Sequence, residues 1–234
     1  MTDEGFKLSP EREVTLSGRK IAYEKWIYLM LNKPPGVVSA SEGEKRETVI
    51  GLLDAKYRGK GLFPVGRLDK DTSGLLLITN DGAFAHNTLS PARHVEKTYE
   101  AEVDGFVGEA DAEAFAAGVV LENGERCLPA RLEILRAPAA ESSTPSMGGL
   151  PGPRIHCENS QVDAERFFTA KVRITLCEGK YHQVKRMFAA VGKRVLSLKR
   201  VSFGEIALDG ELEEGRAREL NDKEKKWVRD NGGH

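Results

Sequence analysis

Cysteines are few in this chain, and long apolar runs are missing from it. The three cysteines, Cys127, Cys157 and Cys177, are too few and too widely spaced for a disulfide framework or a Cys-x-x-Cys metal site. No apolar run approaches the roughly 20 residues that a membrane-spanning helix needs. The first residues, MTDEGFKLSPERE, lack the apolar centre of a signal peptide. Together these absences favour a protein of the reducing cytoplasm.

The composition is that of a folded globular protein. Hydrophobic residues make up 40% of the 234 residues and charged residues 30%, and the length suits one large domain or two small ones. The formal net charge of −1 conceals a basic segment, residues 171–200, with nine Lys or Arg against one acid, Glu178. Such a segment is either the electrostatic footprint of a phosphate backbone or the solvated face of ordinary elements.

Strand patterns outnumber helical ones, and the two do not alternate regularly along the chain. This argues against a doubly wound parallel sheet. We therefore predict an α+β fold in which a few helices flank a mainly antiparallel mixed sheet. The predicted strands cover residues 27–31, 61–65, 75–79, 97–103, 167–177, 195–204 and 205–210, and the predicted helices cover residues 109–118 and 182–192.

Shorter segments fill the intervals between these elements. Residues 37–40 (VVSA) are typical of a short strand, and Thr48 is placed to cap a short helix over residues 49–54, whose apolar side chains recur at helical spacing. Residues 137–165 are rich in Pro, Gly and Ser and show no periodicity. They are therefore predicted to be a mobile surface insertion.

A polar loop, GRLDKDTSG, separates the apolar runs GLFPV and LLLIT. Functional side chains tend to lie on loops that a rigid scaffold holds in place. This loop offers Arg67, Asp69 and Asp71, and a carboxylate next to an arginine stays ionised and oriented. Such an aspartate can act as a nucleophile or base, although an isolated Arg-x-Asp is more often a structural pair that caps a loop.

Three other side chains are candidates for the same site. Tyr99, on an alternating strand, is either a core residue or a plate on which a flipped base stacks. Lys185 lies at the edge of the apolar stripe of the helix over residues 182–192, where it either reaches solvent or points into a neighbouring cleft. His182 has no second histidine or carboxylate at ligand spacing, so it indicates an orienting or RNA-contacting role, or none, rather than a metal site.

Four motifs together resemble the RsuA-type pseudouridine synthases, which isomerise a specific uridine in ribosomal RNA. The motifs are YLMLNKPPG, GRLDKDTSGLLLITNDG, KTY and EGKYHQVKRMFAAVG, and the resemblance spans about Phe6 to Arg218. It implies the pseudouridine synthase fold, a long, bent, mainly antiparallel mixed sheet with flanking helices and a central active-site cleft. The implied catalytic domain has two subdomains and covers residues 26–234. Residues 1–25 would be the tail of a truncated N-terminal RNA-binding module.

The resemblance also implies roles for individual residues. Asp69 would be the catalytic carboxylate, either attacking the sugar or assisting a glycal route. Tyr99 and Lys185 would be the other two catalytic residues. Tyr99 would stack on the flipped uracil and could take the sugar proton, and Lys185 would pair with Asp69. Leu176 and Leu198 would form the wall of the base pocket. The side chains expected to contact RNA are those of Arg67, Lys33, Lys97, His182, Gln183, Arg186, Arg194 and Lys199, with Arg186 as the alternative to Lys185 if the register is off by one.

The isomerisation needs no redox change, phosphate or metal, so the resemblance implies neither a cofactor nor a metal. The implied partner is ribosomal RNA, expected to be that of the small subunit within an assembling ribosomal subunit, and the enzyme is expected to be a monomer that is not bound to a membrane. The alternatives are a synthase acting on large-subunit rRNA and a catalytically idle rRNA-binding or assembly factor. A hydrolase of small molecules that uses Asp69 and His182 is disfavoured, because the chain has no Ser or Cys nucleophile motif.

Overall fold

The computed structural model describes residues 14–16, 19–21, 25–41, 47–137 and 169–232. The predicted insertion over residues 137–165 lies, apart from its first residue, outside the described residues. So does most of the predicted N-terminal tail, of which a small antiparallel hairpin is described. Among the described residues, no helix combines the length and the apolar character that crossing a bilayer requires.

A mixed sheet of nine strands runs through the described part of the molecule, and four helices flank it. The strand order is β11-β3-β5-β9-β6-β8-β7, with β4 paired to β5 and β10 paired to β9. The strands are β1 (Val14–Leu16), β2 (Arg19–Ile21), β3 (Tyr28–Lys33), β4 (Phe63–Pro64), β5 (Ser73–Thr79), β6 (Lys97–Asp104), β7 (Arg131–Arg136), β8 (Thr169–Leu176), β9 (Arg194–Phe203), β10 (Ile206–Ala207) and β11 (Ala217–Glu219). The helices are α1 (Gly82–Leu89), α2 (Glu109–Ala117), α3 (Gln183–Ala190) and α4 (Asp222–Gly232).

A short parallel pairing of β5 with β9 joins the two halves of the sheet, while the other pairings between described strands are antiparallel. Gly74 pairs with Arg200 at this junction. Its φ of +96° lies in the region that favours glycine, and a Cβ there would collide with the Arg200 carbonyl oxygen. The buried Arg200 side chain donates from Nε to the carbonyl oxygen of Leu75, at 2.8 Å. The two halves therefore meet backbone to backbone.

The core is divided along the same line. One cluster lies under β6 and β8, where Phe115 of α2 contacts Phe188 of α3 with ring centroids 4.9 Å apart. A second lies between the sheet and the helices α1 and α4, and a third covers the opposite face of β3 and β5. Tyr99 packs against the first and the third. It is therefore placed at the boundary between the halves.

The main elements confirm the sequence-based predictions. The strands expected at residues 27–31, 97–103 and 167–177 are β3, β6 and β8, each shifted at its ends by at most three residues. The two expected helices are α2 and α3, and Gly118 ends α2 with a φ of +83°. The predicted α+β class and the mainly antiparallel mixed sheet are therefore correct.

Two secondary-structure predictions for the segment after β3 are wrong. Residues 37–40 form no strand beyond a single bridge between Val38 and Thr48. Residues 49–54 form turns instead of a helix, and the Thr48 hydroxyl accepts one bond from the Gly51 N–H, at 3.3 Å. The spacing of Val49 and Leu53 suited a helix, yet the turns bury both side chains as well. A six-residue segment with a central glycine gains too little from helical bonds to outweigh that packing.

Candidate active site

The loop that carries Asp69 is fastened from beneath by Lys33, at the end of β3. The Lys33 side chain is fully buried, and its Nζ donates to the carbonyl oxygens of Pro34, Lys70 and Thr72 at 3.0, 3.2 and 2.8 Å. Burial lowers the pKa of Lys33 to about 8, against the opposing attraction of Asp71 and Asp69. The prediction that Lys33 contacts RNA is therefore wrong, because its ammonium group donates its hydrogen bonds to three carbonyl oxygens inside the protein.

Two further contacts hold the same loop on its other flank. The Ser39 hydroxyl accepts from the Leu68 N–H at 3.0 Å and donates to the Leu68 carbonyl oxygen at 2.8 Å. The Gly36 N–H donates to the carbonyl oxygen of Lys70, at 2.7 Å. The backbone on both sides of Asp69 is therefore fixed by the segment that follows β3. The YLMLNKPPG motif acts here as the support of the GRLDKDTSG motif.

Two basic side chains, one just before α3 and one in its first turn, approach the Asp69 carboxylate. His182 Nε2 lies 3.5 Å from Oδ1, and Lys185 Nζ lies 3.6 Å from Oδ2. The structure therefore brings Lys185, and not Arg186, to the aspartate. Arg67 is exposed and has no carboxylate within 4 Å among the described residues, so the neighbour expected to orient Asp69 is replaced by the pair from α3.

Lys185 also binds a second carboxylate, and more closely. Its Nζ lies 2.6 and 2.7 Å from the two carboxylate oxygens of Asp71. The hydrogen bond from Lys185 lowers the pKa of Asp71. The sequence alone places Asp71 on the loop and indicates no function for it. In the structure it anchors Lys185 beside Asp69, and the Asp-x-Asp spacing is the signal that could have shown this.

Most residues of the predicted site line an open cleft at the junction of the two sheet halves. Asp69, Tyr99 and His182 line it together with Leu176 and Leu198, which are almost fully buried. Tyr99 lies on β6 between Ile174 of β8 and Arg200 of β9, and the cleft also reaches the exposed Arg67. A polar rim over an apolar wall with an aromatic ring is suited to hold a flat, partly polar ring such as a nucleobase.

Two predicted RNA contacts are instead internal contacts. Lys97 is buried, its Nζ donates to the Val95 carbonyl oxygen at 2.8 Å, and burial lowers its pKa. Gln183 is also buried; its side chain donates to Glu178 and accepts from the Lys180 N–H at 2.9 Å. Both predictions of a surface contact are therefore corrected. The sequence motifs correctly predict polar residues near the cleft, but they do not show in which direction the side chains point.

Most cations of the basic segment are compensated by carboxylates from other elements. Arg200 is buried, and Lys199 has no carboxylate within 4 Å among the described residues. The remaining seven form ion pairs: Lys171 and Arg173 with Glu100 (2.9 and 2.8 Å), Lys180 with Glu125 (3.1 Å), Lys185 with Asp71 (2.6 Å), Arg186 with Glu122 (3.5 Å), Lys193 with Asp111 (3.1 Å) and Arg194 with Asp104 (3.5 Å). The local charge count therefore overstated the positive surface.

Glu178, for which the sequence alone indicates no function, stabilises the turn before α3. One of its carboxylate oxygens accepts from the Leu128 N–H at 2.7 Å and from the Gln183 side chain, and the other lies 3.3 Å from Lys180 Nζ. Lys180 Nζ in turn donates to the Arg126 carbonyl oxygen at 2.8 Å. The turn that presents His182 is thereby tied to the loop after α2. Among the described residues, no group of three or more His, Cys, Asp or Glu side chains is arranged to hold a metal ion.

The fold and this cleft define the class of protein. The sequence profile of the RNA pseudouridylate synthase family matches residues 27–190, and the chain belongs to that family. It is an isomerase that converts uridine in RNA to pseudouridine. The family expected from the four motifs is confirmed, and so is the expected fold.

Known proteins of this family are similar to the chain over most of its length. An uncharacterized RNA pseudouridine synthase of Bacillus subtilis (strain 168) is 40% identical over 91% of this chain and 77% of its own. The ribosomal small subunit pseudouridine synthase A of Escherichia coli (strain K12) is 39% identical over 94% and 81%. A crystal structure of a pseudouridylate synthase superposes with a TM-score of 0.69 at 34% identity, covering 97% of this chain and 84% of that one.

Proposed function

We propose that this protein converts one specific uridine of small-subunit ribosomal RNA to pseudouridine, with Asp69 as the catalytic carboxylate. The observation that carries the proposal is the position of Asp69, on a braced loop at the cleft and within 4 Å of Lys185 and His182. The choice of the small subunit is supported by the similarity to the E. coli small-subunit synthase.

The reaction exchanges one bond to the ribose for another. The N1–C1′ bond breaks, the uracil turns within the cleft, and a C5–C1′ bond forms; N1 gains a proton and C5 loses one, so atoms and electrons balance without an external reagent. Asp69 can attack the sugar or assist a glycal route, and either route uses its carboxylate beside the ribose. Lys185, held by Asp71, supplies the positive charge next to it.

The remaining cleft residues are assigned by their placement. Tyr99 would stack on the uracil that leaves the helical stack, and Leu176 and Leu198 would form the dry wall against which the free base turns. Arg67, exposed and without a carboxylate partner in the described part of the chain, would fill the vacated space or contact a phosphate. Extruding the uridine costs a few kcal/mol, which contacts of this kind offset.

The test is to map pseudouridine in the ribosomal RNA of cells that lack the gene. We expect one pseudouridine of the small-subunit rRNA to disappear, to return with the wild-type gene and not to return with Asp69→Asn. If the missing pseudouridine lies in large-subunit rRNA, the proposed target is wrong. If no pseudouridine is lost although the purified protein binds rRNA, the chain is an idle binding factor and the proposal fails.

A further inference from the structure

An exposed aromatic residue, Tyr181, lies between Lys180 and His182, which both line the cleft. Its relative exposure of 76% is the highest of any large hydrophobic side chain in the described ranges. The ring stacks on the imidazole of His182, with centroids 3.8 Å apart and planes inclined by 19°. His182 in turn lies 3.5 Å from Asp69. A single imidazole therefore separates the Tyr181 ring from the proposed catalytic carboxylate.

The backbone that presents this ring is held firmly. His182 has a φ of +46°, an uncommon conformation for a residue with a side chain. The turn before it is closed by the bond from the Gln183 N–H to the Lys180 carbonyl oxygen at 3.2 Å, and the His182 carbonyl oxygen accepts the first bond of α3 from Arg186 at 3.0 Å. An aromatic ring on a fixed turn loses little conformational freedom when a second ring stacks on it.

Folding does not account for this arrangement. A ring that stays exposed contributes little buried apolar area, and a strained backbone next to it costs stability. A parallel stack covers one face of the tyrosine, so the other face is turned to solvent. A tyrosine of this kind is suited to receive a second flat ring, extending the stack by one layer.

We infer that Tyr181 is a stacking site for an unpaired RNA base that neighbours the uridine in the cleft. The inference rests on the proposed function, because extruding a uridine leaves its neighbours available for stacking on protein rings. Tyrosine and histidine are among the side chains that receive splayed RNA bases. Stacking of this kind tolerates any base and adds affinity without a phosphate contact.

The experiment measures binding of a fluorescein-labelled, twelve-nucleotide oligo(U) by fluorescence anisotropy. Tyr181→Ala should weaken binding on the order of tenfold, which is the range for loss of one stacked base. Tyr181→Phe keeps the ring and should bind within about twofold of wild type. Phe106→Ala is the matched control, since Phe106 is a second exposed aromatic residue, 67% exposed, beyond the far end of β6, and it should change nothing.

The salt dependence separates stacking from charge. Loss of a stacked base should leave the slope of log Kd against log salt unchanged, because no phosphate contact is removed. The inference is wrong if Tyr181→Ala binds within twofold of wild type, if Tyr181→Phe is as weak as Tyr181→Ala, or if the slope changes. Thermal unfolding checks that the variants are folded, and Tyr181→Leu, which also removes the aromatic ring, replaces Tyr181→Ala in the comparison if the alanine variant is unfolded.

Failure of the proposed function would look different. If the wild-type protein forms no pseudouridine but its oligo(U) binding depends on Tyr181, the stacking site is confirmed and the proposed function is wrong. If the enzyme is active but its oligo(U) binding does not depend on Tyr181, the proposed function stands and the stacking site is wrong. At saturating rRNA, Tyr181→Ala should turn over at the wild-type rate with a raised KM. A fall in kcat alone would mean that the ring acts through His182 on Asp69, which also overturns the inference.

Discussion

At residue 69, the substitution Asp69→Asn replaces one carboxylate oxygen by an NH2 group, which removes the negative charge and keeps the shape of the side chain. We expect Asp69→Asn to lower pseudouridine formation by at least about 1,000-fold, the scale seen when a nucleophile or base is removed. The melting temperature should be nearly unchanged, because the side chain is partly exposed and makes no short ion pair. Release of tritium from rRNA carrying 5-tritiated uridine measures the reaction, since C5 loses its hydrogen.

Asp71→Asn is the matched control for that experiment, two residues along the same loop. It releases Lys185 from its 2.6 Å contact while leaving the Asp69 carboxylate in place. We expect a loss of less than about tenfold, the size of one weakened charge contact. If Asp71→Asn proves more damaging than Asp69→Asn, the two carboxylates have been assigned in the wrong order.

Lys33 makes stability depend on pH in an identifiable way. Burial lowers its pKa from 10.5 to about 8 in the folded protein, so between these values the unfolded chain binds more protons. Stability therefore rises with pH across that window, by up to about 3 kcal/mol for a shift of this size. We expect the free energy of unfolding, measured in urea from pH 7.5 to 10.5, to show this rise in wild type and to lack it in Lys33→Met.

Other lysines and tyrosines also titrate in that window, so the comparison needs an exposed lysine. Lys60→Met should retain the wild-type rise with pH, because Lys60 is exposed. At pH 7.5 Lys33→Met should also be less stable than wild type by about 3 kcal/mol, since three carbonyl oxygens, of which that of Thr72 is in a buried bond, lose their donor. A Lys33→Met protein as stable as wild type at pH 7.5 would mean that Lys33 does not support the loop.

The residues of the site were predictable where a motif fixed them and unpredictable where burial decided. The motifs predict Asp69, Tyr99 and Lys185; Asp69 and Tyr99 line one cleft, and Lys185 Nζ lies 3.6 Å from Asp69. Lys33 and Lys97 belong to the same motifs, yet their ammonium groups donate to buried carbonyl oxygens. Sequence shows that a side chain can carry charge, but the direction in which it points depends on strands that pair far along the chain.

Among the elements, the β5–β9 junction is sensitive to a single methyl group. Gly74→Ala places a Cβ against the Arg200 carbonyl oxygen and demands a φ of +96°. We expect it to lower the free energy of unfolding by about 3 kcal/mol or more, the sum of backbone strain and a steric clash. Because the Asp69 loop enters β5 at this point, pseudouridine formation should fall with it.

Gly124→Ala separates the two causes. Gly124 has a similar φ of +80°, but its Cβ would meet nothing within 4 Å, so only the backbone strain remains. We expect a loss of about 1 kcal/mol in urea unfolding and a normal rate of pseudouridine formation. Equal losses in the two variants would show that the close approach of β5 and β9 is not what the glycine serves.

The helices and strands are predicted correctly where the alternating or helical pattern of apolar residues extends over many positions. The alternation in residues 97–103 and 167–177 and the stripe of residues 182–192 persist for several residues, so a single burial pattern satisfies each. In residues 49–54 the helix prediction rests on Val49, Leu52 and Leu53, and turns bury Val49 and Leu53 and pack Leu52 against the same cluster. The β5–β9 pairing joins residues 126 positions apart and leaves no local signal beyond a glycine.

At the scale of the whole molecule, charge is balanced between elements and not along the chain. The acids that pair with the basic segment come from the loop of Asp71, from β6, from α2 and from the loop after α2, well before it in sequence. A count within one window therefore reports charge that the fold has already neutralised. Affinity for a phosphate backbone has to come from cations that keep their charge uncompensated, such as Lys199 and Arg67.

Salt dependence of RNA binding tests this distinction between paired and unpaired cations. Each phosphate contact contributes roughly 0.7–0.9 to the slope of log Kd against log salt. We expect Lys199→Met to make the slope shallower by about that amount, because no carboxylate lies within 4 Å of Lys199 among the described residues. Lys193→Met should leave the slope unchanged, since Lys193 is held 3.1 Å from Asp111. Equal slope changes in the two variants would mean that RNA displaces the internal partners, and the basic segment would then bind as a unit, as its sequence first indicated.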